Sequence, residues 1–101
     1  MILKRWQAPN LPSPEQMKML LFAEGLKFEE EVYPAQAHMG PHKHPFDEVR
    51  MVISGSMIFN LSGNKVLLRA GDRIEIPSNT LHEMTVHSDE ECRSIVAFKV
   101  F

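Results

Sequence analysis

The sequence predicts an all-β domain, an antiparallel sandwich or barrel, with one short helix near its start. Three observations lead there. Short β-like segments recur roughly every ten residues from Leu26 onward, clusters of Gly, Pro, Ser, Asn and Asp separate them, and only one stretch carries a helical pattern. A chain of 101 residues makes one compact domain and leaves no room for a second. With 44% apolar and 24% charged residues, the composition is that of a folded globular protein.

Residues 1–12 read as an arm and linker, with Ile2 to Trp6 as an edge strand and Ala8 to Pro12 as a connection. A helix is expected over 14–24. Ser13 caps it, Pro14 suits its first position, and Gln16 completes a capping box by reaching back to the Ser13 amide. Met17, Leu20 and Leu21 recur at helical spacing, and Gly25 is a left-handed terminator. Residues 26–101 form the β-barrel. Its strands are expected at Leu26–Tyr33, Gln36–Met39, Val49–Ile53, Met57–Leu61, Lys65–Arg69, Arg73–Ile76, His82–His87 and Arg93–Phe101. Gly40-Pro41 is expected to break the chain after the second of these, and Ser62-Gly63-Asn64 is short enough for a hairpin. The acidic run Glu29-Glu30-Glu31 reads as a solvated strand face.

Several function classes are disfavoured by composition. Eleven Lys and Arg against thirteen Asp and Glu leave a formal charge of −2, with no basic surplus for a nucleic-acid backbone. The longest apolar run, Met19 to Ala23, is far short of the ~20 residues a spanning helix needs, so no membrane partner is expected. A lone cysteine, Cys92, makes no internal disulfide, and a cytoplasmic location is expected. Its acidic neighbours Asp89, Glu90 and Glu91 should raise its pKa, which argues against a catalytic thiol.

The chemistry concentrates in four side chains. His42 and His44 are two apart, so on an extended strand both imidazoles project to one face, and Glu48 follows four residues later. Three such donors can occupy one triangular face of a metal, and His82 is the well-placed candidate for a fourth ligand. The triad alone is a weak motif. Gly55, and then Gly71 and Pro77 running into His82 some forty residues after the triad, make the combination specific.

On these residues the sequence resembles the cupin superfamily. The first cupin motif, G-x5-H-x-H-x3,4-E-x6-G, reads here as His42, His44, Glu48 and Gly55, with Gln36 in place of the opening glycine. The second, G-x5-P-x-G-x2-H-x3-N, reads as Gly71, Pro77 and His82, with Asn79 replacing the internal glycine and Val86 the final asparagine. The resemblance implies a jelly-roll, or double-stranded β-helix, barrel holding one divalent transition metal on His42, His44, Glu48 and His82. Three imidazoles and a carboxylate suit iron, manganese, zinc, nickel or copper. The reading opposed to this is a histidine-rich surface loop with His82 merely packed in a strand, or a barrel used only as a metal-free scaffold.

Arg50 shares the inward parity of Glu48. It is expected either to anchor an anionic small-molecule substrate or to pair with an internal carboxylate. The string Glu48-Val49-Arg50 is similar to acireductone dioxygenases, cupins in which Glu-x-Arg follows the His-x-His pair. Phe46, Phe59 and Met84, with Met57 and Phe98, are candidates for an apolar substrate pocket above the metal, against the plainer reading of barrel core. His38 and His87 are expected at the surface. The resulting expectation is a dioxygenase- or isomerase-type enzyme acting on a small anionic or oxygenated compound. A non-catalytic ligand-sensing module is the alternative. The arm Ile2-Leu3-Lys4-Arg5-Trp6 offers apolar surface for a homodimer, or else closes its own barrel.

Overall fold

The computed structural model describes residues 1–99. Its elements are β1 (Ile2–Lys4), α1 (Pro14–Ala23), β2 (Phe28–Tyr33), β3 (His38–His42), β4 (Asp47–Ser54), β5 (Ser56–Leu61), β6 (Asn64–Arg69), β7 (Arg73–Ile76), β8 (His82–Val86) and β9 (Cys92–Lys99). The last two residues of the strand expected at Arg93–Phe101 lie outside the described residues.

Helix α1 forms where its caps predict. Gln16 N–H donates to Ser13 Oγ at 3.1 Å and Ser13 N–H donates to Gln16 Oε1 at 2.8 Å, satisfying two N-terminal amides reciprocally. At the other end Gly25 takes φ +77°, which lets its own N–H reach the Phe22 carbonyl and the Leu26 N–H reach that of Leu21. The helix ends at Ala23 with Glu24 as its cap, one residue short of expectation. It buries Met17 and Leu21, whereas Leu20, expected beside them, stays largely exposed.

Two antiparallel sheets face each other, ordered β1-β7-β4-β9-β2 and β3-β8-β5-β6. From β2 onward the chain crosses repeatedly between them, giving a jelly-roll barrel. The interior core is Val52, Met57, Phe59, Leu61, Leu68, Ile74, Ile76, Met84, Val86 and Cys92. A second cluster joins Met17 and Leu21 of the helix to Val49, Met51, Ile53, Ile95 and Ala97 on the outer face of the larger sheet. Strand β4 is therefore buried on both faces. Its even positions Glu48, Arg50 and Val52 turn into the barrel, and its odd positions lie under α1.

Turn chemistry explains several boundaries. Ser62 and Gly63 alone connect β5 to β6, both with positive φ as a two-residue hairpin requires, and Asn64 already belongs to the strand. Gln36 and Asn79 stand where the motifs carry glycine, and both keep a left-handed backbone, with φ +65° and +59°. The N-terminal arm finds its hydrogen-bonding partner in its own chain. Strand β1 extends the larger sheet by pairing Leu3 with Ile74. Asp72 pins the arm by accepting from Arg5 Nη1 at 2.6 Å and Trp6 N at 3.2 Å. Trp6 covers Gly71 so closely that a Cβ there would meet the Trp6 Cβ at 2.8 Å.

Candidate metal centre

A register shift sets the first histidine. In the β3–β8 ladder Met39 opposes Met84, yet His42 opposes His82, so β3 holds one extra residue between them. Gly40-Pro41 is thus absorbed within the strand as a bulge and does not end it, contrary to expectation. The consequence is a change of face. Without the bulge His38 and His42 would share a side, whereas here His42 aligns with His82 and His38 turns outward to Thr85 Oγ1 at 2.8 Å. His87 is exposed, as expected.

His44 lies in the connection leading to β4, and two hydrogen bonds fix that connection against the loop before β8. Asn79 N–H donates to the His44 carbonyl at 2.6 Å, and Ser78 N–H donates to Asp47 Oδ1 at 2.8 Å. The two distant motifs are thereby held together. One ring nitrogen from each of His42, His44 and His82 lies within 4.8 Å of the other two. Glu48 Oε1 is 3.5 Å from His44 Nε2 and 4.0 Å from His82 Nε2. All four residues expected from the sequence converge at the mouth of the barrel, the three histidines as one tight group and the carboxylate beside it.

Ring orientation follows from the backbone. His42 Nδ1 is 2.8 Å from the Gly40 carbonyl and His82 Nδ1 is 2.8 Å from the Thr80 carbonyl. A carbonyl oxygen only accepts, so each Nδ1 carries a proton, and it is Nε2 that offers a lone pair in the neutral ring. Metal-binding histidines are commonly held this way. His82 is 2% exposed, and among the described residues its Nε2 has no hydrogen-bond partner. An acceptor stranded in the interior is costly. A cation between the three rings would satisfy it, and the donor set fits a divalent transition metal. Burial pushes the His82 pKa below its ordinary value, which keeps the ring neutral, as ligation requires.

Arg50 is only 3% exposed. Its Nε donates to Glu48 Oε2 at 3.3 Å, its Nη1 donates to Ser94 Oγ at 2.8 Å, and the same Nη1 meets Glu31 Oε1 at 2.9 Å. Tyr33 lies with its ring centre 6.0 Å from the guanidinium carbon. Burial opposes the positive charge, but Glu48, Glu31 and Tyr33 outweigh it and hold the Arg50 pKa above its ordinary value. The structure thus pairs Arg50 with the buried Glu48 and the partly exposed Glu31.

The apolar candidates divide. Phe59, Met57 and Met84 lie in the sealed core, with Phe59 centred 6.5 Å from the His82 ring. Phe46 and Phe98 sit at the mouth. Phe46 stacks on His44 with its ring 5° from parallel, and Phe98 meets Phe46 edge-on at 4.7 Å while remaining 40% exposed. Cys92 is buried, and burial is what raises its thiol pKa, with Arg50 opposing; its acidic neighbours are not the cause.

Sequence reasoning missed Glu31 and Ser94. Glu29 and Glu30 are exposed as expected, and Glu30 pairs outward with Arg93. Glu31 has the opposite parity to Glu30 and the same parity as Tyr33, so it turns inward, and that alternation was the available signal. Ser94 gave no signal, because only the β4–β9 pairing carries it to Arg50.

The cupin domain profile matches residues 28–98 of this chain. The chain is a cupin. Acireductone dioxygenase from Bacillus licheniformis is 42% identical to it over 65 residues, covering 59% of this chain and 35% of that protein. The Bacillus thuringiensis acireductone dioxygenase is 38% identical over 65 residues, covering 59% and 36%. This cupin spans about a third of the length of those curated relatives. Among solved structures, a cupin protein from Bacteroides fragilis superposes with a TM-score of 0.65 at 23% identity, covering 72% of this chain and 64% of that one. An oxalate oxidase bound to the substrate analogue glycolate gives a TM-score of 0.65 at 23% identity, covering 74% and 42%. At that level of identity the superpositions establish the jelly-roll fold alone.

Proposed function

We propose that this cupin is a metal-dependent enzyme of dioxygenase type. It would hold one divalent transition metal on His42, His44, Glu48 and His82 and act on a small oxygenated compound of the acireductone kind. The observation that carries the reading is the unpartnered Nε2 of His82, buried among two further histidines and a carboxylate. The similarity to acireductone dioxygenases favours oxygen chemistry over isomerisation. When bound, the metal would supply Lewis acidity and free coordination positions for chelating oxygen atoms.

The protein's own residues have definable tasks. The Gly40 and Thr80 carbonyls orient the imidazoles of His42 and His82. Arg50 holds Glu48 by Oε2 and leaves Oε1 directed toward the rings. Phe46 keeps the His44 ring from rotating and, with Phe98, walls the mouth against water on one side. The buried Arg50 is already neutralised, so a substrate's oxygens would find their electrophile at the metal and not at the guanidinium.

Elemental analysis of protein purified without added metal tests the first half of this proposal. Roughly stoichiometric iron, manganese, nickel, zinc or copper is expected, with loss in the His82→Ala variant. Oxygen uptake with an acireductone tests the second half. Metal binding without turnover would leave a ligand-sensing module, and no uptake of metal at neutral pH would leave a scaffold.

A further inference from the structure

Behind the ligand Glu48 lies a chain of charges that runs across the interior of the larger sheet: Glu48, Arg50 and Glu31. Arg50 is buried, and its cation sits directly against the carboxylate of a residue meant for a dication. Unopposed, that guanidinium would draw Glu48 toward itself and repel the metal by like charge. Glu31 supplies the opposition. It comes from β2, two strands away from β4 with β9 between, and its Oε1 lies 2.9 Å from Arg50 Nη1. That oxygen is enclosed and meets Arg50 as an ion pair, although the Glu31 side chain as a whole is 37% exposed.

We infer that Glu31 is a positioning residue for the metal centre: it holds and neutralises Arg50 so that Glu48 keeps Oε1 free for the ion. The inference rests on the metal-binding reading above. Its geometry has a built-in asymmetry. Arg50 reaches Glu48 through Nε, at a long 3.3 Å, while its Nη1 is engaged by Ser94 and Glu31 at 2.8 and 2.9 Å. Without the Glu31 charge, the described groups left to oppose Glu48 at the guanidinium are the Ser94 hydroxyl and Tyr33, neither of them an anion.

Calorimetric titration with manganese(II) of wild type, Glu31→Gln and Glu31→Asp tests this. Manganese lies low in the affinity order, which keeps binding measurable. Partners behind metal ligands commonly contribute 10–100-fold to affinity, so Glu31→Gln is expected to bind about tenfold more weakly, with Glu31→Asp recovering to within about threefold of wild type. Wild type that binds while Glu31→Gln binds equally well overturns this inference and leaves the metal site standing. Equal weakening in both variants, accompanied by a matching fall in Tm, also overturns it, by assigning Glu31 a merely structural role. Failure of wild type to bind manganese, and likewise iron, nickel, zinc and copper, overturns both readings.

Discussion

Asn79 and His44 belong to different motifs, 35 positions apart, and are joined by a backbone hydrogen bond of 2.6 Å from the Asn79 N–H to the His44 carbonyl. Asn79 itself sits in the left-handed region, at φ +59°. A left-handed backbone costs an L-residue about 1–2 kcal/mol, less for asparagine than for most. Asn79→Ala is therefore expected to destabilise the fold by about 1 kcal/mol and to weaken metal binding by loosening His44 from His82. Gln36, at φ +65°, bears the same strain without asparagine's tolerance. Gln36→Gly is expected to stabilise by about 0.5–1 kcal/mol, since relief of strain exceeds the added freedom of the unfolded chain. Thermal melts of the two variants check both signs.

Arg50 carries a different kind of liability. Replacing it with Met leaves Glu48 in the barrel without its cation and Glu31 Oε1 enclosed without a partner. Removing one partner of a buried pair typically costs about 3–5 kcal/mol, so Arg50→Met is expected to unfold at much lower urea than wild type. A variant as stable as wild type would contradict this.

The helix is tied to the sheet by Glu24 and Arg73, with Arg73 Nη2 donating to Glu24 Oε1 at 2.7 Å. The hydrogen bond from Arg73 is the largest reason that the Glu24 pKa lies below its ordinary 4.5; burial opposes it. The folded pKa is the lower one, so this contribution to stability is full above about 4.5 and is lost as pH falls through the folded value. Glu24 is substantially solvated, which limits the effect to under about 1 kcal/mol. Urea unfolding of wild type and Glu24→Gln should differ by that amount at pH 7 and converge in acid.

Cys92 should be chemically silent in the native state. Its side chain is sealed in the barrel core and burial raises its pKa, so little thiolate exists near neutrality. A colourimetric thiol reagent is expected to react with none of the native protein and with one thiol per chain in denaturant.

Much of this architecture is written locally. The capping box at Ser13, the glycine at the end of α1, the Ser62-Gly63 turn and the alternation of the strands each depend on residues a few positions apart, which is why the elements are legible in order. The four residues of the candidate site are legible for a related reason: two short motifs constrain both residue type and spacing. What the sequence by itself determined was thus the set of strands, the one helix and the four side chains that meet at the candidate site. The tertiary structure alone decided how they meet. A one-residue bulge turns His42 toward His82 and His38 away, strand crossing places Glu31 against Arg50, and helix packing over β4 makes a strand that carries Glu48 and Arg50 buried on both faces. Such outcomes depend on pairing register between distant segments, where a shift of one residue exchanges the inner and outer faces of a strand.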